Sequence, residues 1–291
     1  MQIAYHLGVH CTDEERLLKC LLKNKGKLAE QGIGVPGPGR YRNLVREQMV
    51  ELRGRPASAE HQEKLLGVIA ENEEISRVVL TNPSFMAAPA RAIQTGQFYP
   101  NADQKTHWLS QLLPGAQVEF FVAIRNPATF LPALMAETKA AGPEVFLGDT
   151  DPLAMQWSPL IEKIRRANPE ASVTVWCNED TPLIWPEILR EMSGHEPHTQ
   201  LDGIYDFHAS IMTEAGIRRM LAYFQSHPPV NEVQRRRVVA AFLDKFANED
   251  EIEVEIDLPG WDEDLVESMT EAYEEDIFAI ERMAGVNLIT P

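Results

Sequence analysis

Residues 3–18 read Ile3-Ala4-Tyr5-His6-Leu7-Gly8-Val9-His10-Cys11-Thr12-Asp13-Glu14-Glu15-Arg16-Leu17-Leu18, and this stretch decides the fold. An apolar run ends at Gly8, a short connection follows, and a helical pattern begins at Asp13 with leucines repeating along one face. The pattern predicts a strand, a loop and a helix in direct succession. In an α/β protein such a junction points the positive end of the helix beyond the carboxyl end of the strand, where anions and above all phosphates bind.

The loop itself lacks most residues of a phosphate-binding loop. A Walker-type loop uses glycine for close backbone approach, lysine for the phosphate charge and Ser or Thr for a metal ion. In this loop Gly8 and Thr12 remain, and three carboxylates follow. The run from Thr12 to Glu15 also fits a capping box, in which the Thr12 hydroxyl accepts from the Glu15 N–H and Glu15 reaches back to the Thr12 N–H. Two interpretations stay open, a helix that caps itself and a working anion site.

Two further apolar runs end in polar residues. Residues 77–81 read as a buried strand followed by Asn82-Pro83-Ser84, and residues 118–124 read as a strand followed by Arg125. In an open parallel sheet the carboxyl ends of the strands form the ligand-binding edge, which makes Ser84 and Arg125 candidate binding residues. For Ser84 the alternative is a purely structural role in the Asn-Pro-Ser turn. Arg125 suits bidentate phosphate recognition. A structural ion pair with a nearby carboxylate is the equal alternative for it.

The order of the patterns predicts the fold class. Four short strands, the last at residues 172–177, alternate with helices, which favours an α/β fold with a central parallel sheet covered on both faces. From residue 202 onward the pattern is almost wholly helical, apart from a short extended piece at 253–256. The Gly- and Pro-rich residues 31–41 are predicted as a loop. We therefore expect a single domain, with an α/β core over residues 1–200 and a helical, acidic region over 201–291. The predicted helices begin at residue 13 and then cover 44–52, 59–73, 101–113, 128–140, 153–166, 209–225, 232–246 and 262–283, and a further helix follows the strand at 172–177 with Pro182 near its start.

Charge and composition exclude several classes of protein. The net charge of −17 argues against nucleic-acid binding, which requires a basic face. Residues 247–291 contain fifteen carboxylates and one basic residue, Arg282, so this segment alone carries −14. Such a segment is either a solvated surface or a contact for a basic partner protein. The three cysteines lack zinc-site spacing, and no membrane segment or leader pattern is apparent, so we expect a metal-free cytoplasmic protein.

Two stretches together resemble the bacterial sulfotransferase family. Residues 6–12 before a leucine-rich helix, and Arg125-Asn126-Pro127 between a strand and a helix, match the order and spacing of the two cofactor signatures of that family. The resemblance implies a P-loop-type α/β fold that transfers a sulfuryl group from 3′-phosphoadenosine 5′-phosphosulfate (PAPS) to a hydroxyl or amine, on a small-molecule or glycan acceptor. It places the 5′-phosphosulfate on the first signature and the 3′-phosphate on the second.

The resemblance carries residue by residue to part of these signatures. The expected cofactor-binding residues are Gly8, Val9, His10, Cys11, Thr12, Ser84 and Arg125. Family enzymes use a His or Glu from outside the loop as catalytic base, and the candidate histidines of this chain are His10, His107 and His208.

The departures from the family pattern bear on activity. The lysine position is Cys11, the following glycine is Asp13, the two threonines are Glu14 and Glu15, and the serine of the second signature is Ala133. Two hypotheses follow. The protein is an active PAPS-dependent sulfotransferase with a rebuilt loop, or it is a non-catalytic relative that acts through protein contacts of its acidic C-terminal region.

Overall fold

The computed structural model describes residues 1–70, 74–140, 142, 146–248 and 260–291. Its centre is a six-stranded sheet in which each strand pairs in parallel with its neighbours, and helices flank it. The prediction of an α/β fold built on a central parallel sheet is confirmed.

The sheet contains two strands more than the sequence patterns predicted. The strands lie in the order β2-β3-β1-β6-β7-β8, and a separate antiparallel hairpin pairs β4 with β5. The unpredicted strands are β2, which has only two residues, and β8, which follows a long acidic helix. The bounds are β1 (Gln2–His6), β2 (Ile33–Gly34), β3 (Arg77–Thr81), β4 (Ile93–Gln94), β5 (Gln97–Phe98), β6 (Gln117–Ile124), β7 (Ser172–Cys177) and β8 (Val286–Ile289).

One layer of helices covers each face of the sheet. The side chains of β1 alternate between the two faces and enter two hydrophobic clusters, which the helices of the two layers bury. Ile3 and Tyr5 point into the larger cluster, and Ala4 points into the smaller one on the opposite face. Helices α3 to α7 and α12 contribute to the larger cluster, while α1, α2 and α8 contribute to the smaller. The helices are α1 (Arg16–Lys23), α2 (Lys25–Ala29), α3 (Pro38–Leu52), α4 (Ala59–Ile69), α5 (Ala102–Ser110), α6 (Pro127–Thr138), α7 (Ser158–Ala167), α8 (Thr181–Ser193), α9 (Asp206–Ile211), α10 (Glu214–Ser226), α11 (Glu232–Phe246) and α12 (Glu263–Glu281).

The C-terminal region consists of two parts with different attachments. Helices α9, α10 and α11 share a small apolar cluster. They contact α8 through a buried ion pair, in which Nη2 of Arg235 on α11 lies 2.5 Å from Oε2 of Glu187 on α8. Helix α12 instead packs its Tyr273 and Ile280 into the larger core cluster, and β8 then extends the main sheet. Part of the acidic C-terminal segment is therefore integral to the α/β core.

Several predicted boundaries differ from the structure. Helix α1 begins at Arg16 instead of residue 13, and α3 begins at Pro38, inside the segment predicted as a loop, because proline is well suited to the first helical turn. The helix predicted over 209–225 divides into α9 and α10, with the Thr213 hydroxyl accepting from the Gly216 N–H at the start of α10. The predicted extended piece at 253–256 lies outside the described residues. No helix among the described residues is long and apolar enough to cross a membrane.

Candidate functional site

Three loops meet at the carboxyl edge of the sheet. Strand β1 lies between β3 and β6, so the loops that follow these three strands are neighbours in space. After β1 the chain continues to β2 at one end of the strand order, and after β6 it continues to β7 in the opposite direction. The junction of β1 and β6 is therefore a topological switch point, the usual place for a ligand in an open α/β sheet. The structure thus brings the loop of residues 8–15 together with Arg125.

Gly8 fixes the course of the loop after β1. Its φ is +90°, and a Cβ at this position would lie 3.2 Å from the Cα of Pro83. The backbone continues to pair with β6 on either side, since the Leu7 N–H donates to the Phe121 carbonyl and the Ala123 N–H donates to the Gly8 carbonyl. A side chain at this position would be strained in conformation and crowded by the neighbouring loop.

The predicted capping box is wrong. The Thr12 hydroxyl donates to the Val9 carbonyl at 2.8 Å, and the Glu15 carboxylate pairs with Arg42 at 2.6 Å. Instead, Asp13 holds the start of α1, where its Oδ2 accepts from the Leu17 N–H at 3.1 Å. A carboxylate of the chain itself therefore occupies part of the helix N-terminus that would otherwise face an anion.

Cys11 is a hydrogen-bond donor to an acidic residue of the opposite wall. Its Sγ lies 3.1 Å from Oε2 of Glu137 on α6. Burial raises the pKa of the Cys11 thiol to about 12, and the hydrogen bond to Glu137 and its charge act in the same direction. The thiol is therefore protonated at neutral pH and is not an activated nucleophile.

His10 is held in place by Tyr99. The Tyr99 hydroxyl accepts from the His10 backbone N–H at 3.1 Å and lies 2.7 Å from Nδ1 of the imidazole. The hydroxyl and Nδ1 therefore share one buried hydrogen bond. Burial lowers the pKa of both His10 and His6, so both imidazoles are neutral at pH 7. In each ring Nε2 is buried without a partner among the described residues.

Arg125 lies at the same edge without a salt bridge to any described residue, although Glu179 and Glu14 are close enough to favour its charged form. Its Nε donates to the Thr129 hydroxyl at 2.9 Å, and its Nη1 donates to the Cys11 carbonyl at 2.6 Å. Within the described part of the chain the guanidinium forms no ion pair, and burial lowers its pKa although Glu179 opposes that effect. The alternative of a structural ion pair is therefore not realised with any described residue, and the guanidinium faces open space.

The loop separates two clefts of similar size, and both are lined by Thr12, Asp13, Glu14 and Arg125. The first cleft, of about 430 Å³, lies towards the end of β3 and α6. The second cleft, of about 440 Å³, lies towards the end of β7, the start of α8 and helix α9. The first cleft is lined in addition by His6, Gly8, Val9, His10, Cys11, Glu15, Thr81, Pro83, Ala133 and Glu137.

The remaining sequence candidates lie elsewhere. Ser84 is exposed in a turn in which its N–H donates to the Asn82 side chain, and it does not line either cleft. His107 lies near the first residues of β6, at the amino-terminal edge of the sheet, opposite to the edge that carries the loop. His208 is fully buried, with Nε2 2.7 Å from the Pro182 carbonyl, behind the wall of the second cleft. Of the three candidate bases, the structure brings only His10 to the loop.

The structure adds residues that sequence reasoning missed. Glu137 of α6 lines the first cleft. Tyr99, the residue after β5, is buried and hydrogen-bonds to His10 of that cleft, and neither residue belongs to a recognisable motif. Thr181 and Trp185 line the second cleft from the start of α8. A partial signal existed for these two, because they follow a predicted strand at the ligand-binding edge just as Arg125 does.

Comparison with known proteins does not assign this chain to a family. No family model matches the sequence, and no curated protein matches it. Within the described residues, no group of three or more His, Cys, Asp or Glu side chains is arranged to hold a metal ion.

Proposed function

We propose that this protein is a sulfotransferase-like protein that has lost sulfuryl transfer and acts through binding, with its C-terminal region contacting another protein. The proposal starts from the resemblance of residues 6–12 and 125–127 to the two cofactor signatures. The observation that carries it is the Asp13 carboxylate on the Leu17 N–H, at the helix N-terminus where the resemblance puts the phosphosulfate.

The charges of the first cleft act against a polyanionic nucleotide. Asp13, Glu14 and Glu15 follow each other in the loop, and Glu137 lies on the opposite wall. Two like charges 4 Å apart repel by about 4 kcal/mol at an effective dielectric constant near 20. One such contact would cancel about half of the roughly 8 kcal/mol that correspond to micromolar binding.

The residue that would stabilise the leaving group is also missing. Cys11 stands at the lysine position of the signature, and its protonated thiol donates to Glu137 instead of carrying a positive charge towards a ligand. Loss of one donor of this kind typically costs about 3–4 kcal/mol of transition-state stabilisation. Catalysis is therefore affected separately from nucleotide binding.

The C-terminal region exposes several large apolar side chains, as a protein-contact surface does. Eight large apolar side chains are exposed among the described residues, and five of them follow residue 201: Leu221, Tyr223, Val230, Val233 and Phe278. Val230 is 86% exposed, between α10 and α11. Four of these five side chains lie on or between α10 and α11, so this part of the region offers an apolar patch to a partner protein.

An active PAPS-dependent sulfotransferase is the second candidate. The observation that favours it is Arg125, whose guanidinium has no described carboxylate partner and is held by Thr129 at the edge of the sheet. Thr129 supplies a hydroxyl where the expected serine position is Ala133. In this alternative Arg125 and Thr129 bind the 3′-phosphate, and the loop contributes backbone donors.

Calorimetric titration with adenosine 3′,5′-bisphosphate, the desulfated product nucleotide, separates the two candidates. We expect no binding to the natural protein at millimolar nucleotide. We expect micromolar binding when the loop is restored by C11K, D13G, E14T and E15T together. Three of these substitutions remove a carboxylate, and C11K adds the missing cationic donor.

The matched control removes three carboxylates away from the loop, by E47T, E60T and E63T on the exposed surfaces of α3 and α4. This control should not bind the nucleotide. Micromolar binding to the natural protein that R125A abolishes would overturn the proposal and support the enzyme.

Site-specific photo-crosslinking tests the protein contact. A photoreactive amino acid at position 230 or 233 should trap one partner in cells, whereas the same amino acid at Val50, which is 56% exposed on α3, should not. Equal patterns of crosslinks at positions 50 and 230 would argue against a specific contact at the C-terminal region.

A further inference from the structure

The second cleft has a polar end and an apolar wall. The polar end is formed by Arg125, Thr129 and Thr181. Pro182, Trp185, Phe207 and Ile211 form the wall, on which the indole of Trp185 and the ring of Phe207 stack with their centroids 4.7 Å apart. Such a cleft fits a molecule that has a small polar head and a flat apolar body.

Hydrogen-bonding groups at this cleft lack acceptors. The Thr181 hydroxyl, on the first residue of the 13-residue helix α8, is buried and has no partner among the described residues. The indole N–H of Trp185, a residue that also lines a neighbouring cleft with Lys19 and Lys23, is likewise buried and unpartnered. Buried polar groups are normally hydrogen-bonded, so the Thr181 hydroxyl beside the Arg125 guanidinium points to a ligand that accepts.

The charge at the polar end selects an anion of low charge. The Arg125 guanidinium is half-buried and has no carboxylate partner in the described part of the chain. A buried charge of this kind is costly until it is paired. The cleft is also lined by Asp13, Glu179 and Glu14, of which Glu14 pairs with Arg16 of the same cleft at 3.2 Å. The two carboxylates without that pairing would repel a dianion more strongly than a monoanion.

We propose that the second cleft binds an aromatic carboxylate, with the carboxylate between Arg125 and Thr181 and the ring against Pro182 and Phe207, next to the buried indole of Trp185. A carboxylate is acceptor-only and has about four lone-pair sites, which suits the guanidinium of Arg125 and the Thr181 hydroxyl as donors. The guanidinium fork matches its geometry. Arg125 lines both clefts, so this assignment rests on the proposed loss of nucleotide binding, and the calorimetric titration with adenosine 3′,5′-bisphosphate tests that loss separately.

Titration of the full-length protein with benzoate tests the site, with benzyl alcohol as the neutral probe of the same size. The indole N–H signal of Trp185, assigned with W185F in ¹⁵N-labelled protein, should shift and saturate with benzoate. Benzyl alcohol should bind about tenfold or more weakly, because it lacks the charge-assisted hydrogen bonds to Arg125.

Two variants locate the carboxylate. R125Q should weaken benzoate binding by about tenfold or more, and the isosteric T181V by several-fold. The control R166Q, on the exposed surface of α7, should leave binding unchanged. T181V preserves side-chain volume, so it tests the site even if R125Q disturbs the loop.

Three outcomes would overturn the assignment. The first is equal binding of benzoate and benzyl alcohol. The second is tighter binding of phenyl phosphate than of benzoate, which would indicate a phosphate site on Arg125 instead. The third is no saturable shift of the Trp185 signal at any benzoate concentration that the protein tolerates.

Discussion

The hydroxyl of Tyr99 supports the loop after β1 through two hydrogen bonds, and its removal should measure their contribution. The variant Y99F keeps the aromatic ring, which stacks on His10 with centroids 5.8 Å apart. It removes the only described partner of both the His10 backbone N–H and the Nδ1 of that imidazole.

The expected loss follows from the two groups that would be left unsatisfied. His10 and Tyr99 are 3% and 1% exposed, so water does not replace the missing hydroxyl. Leaving one buried polar group without a partner costs about 1–3 kcal/mol. For two such groups we expect Y99F to lower the free energy of unfolding by about 3 kcal/mol.

Urea unfolding followed by circular dichroism measures this loss, and Y5F is the matched control. Tyr5 is as deeply buried as Tyr99, but its hydroxyl makes a single bond of 3.3 Å to the Leu109 carbonyl. That carbonyl also accepts from the Leu112 N–H, so Y5F leaves no acceptor without a donor and should cost less than about 1 kcal/mol. Equal losses in the two variants would refute the idea that Tyr99 satisfies His10.

Three further predictions concern other parts of the molecule. E119Q should lower the free energy of unfolding by about 3 kcal/mol in urea denaturation, because it removes the carboxylate that lies 2.6 Å from the buried Arg77 guanidinium. Alkylation of Cys11 by iodoacetamide at pH 8 should be roughly 100-fold slower than that of a free cysteine, because its pKa is raised to about 12, and E137Q should accelerate it. Burial lowers the pKa of His208 from 6.5 to about 4, so the unfolded chain binds the proton more tightly and stability should fall by up to about 3 kcal/mol as the pH drops from 6.5 to 4. H208Q should flatten that dependence in unfolding experiments at several pH values, and an unchanged slope would assign it to other groups.

The sequence patterns were sufficient for the core of the fold. Strands β3 and β7 have the predicted bounds, and β1 and β6 differ by one or two residues, because their apolar runs are buried on both faces and end in clear turn signals. Helix α11 likewise has its predicted bounds. Strand β2 could not be found in this way, since two residues form no period and its pairing with β3 is a non-local contact.

The site was predictable as a place but not as an arrangement of atoms. The loop after β1 and Arg125 were expected at one edge of a parallel sheet, and they line the same two clefts. The local motif at the helix start was misleading, because Glu15 binds Arg42 of α3 and leaves the start of α1 to Asp13. A capping box depends on residues within one turn, whereas this ion pair joins two helices that are distant in sequence.

The sequence by itself therefore determined the parallel sheet, the order of its main elements and the edge at which a ligand would bind, because strand burial and helix periodicity are local properties. Only the tertiary structure decided which polar groups are satisfied there. Tyr99 hydrogen-bonds to the backbone and ring of His10, Glu137 accepts from the Cys11 thiol, and Thr181 remains without a described partner at the second cleft. Hydrogen bonds between distant segments are set by the packing of whole elements, and no pattern along the chain records them.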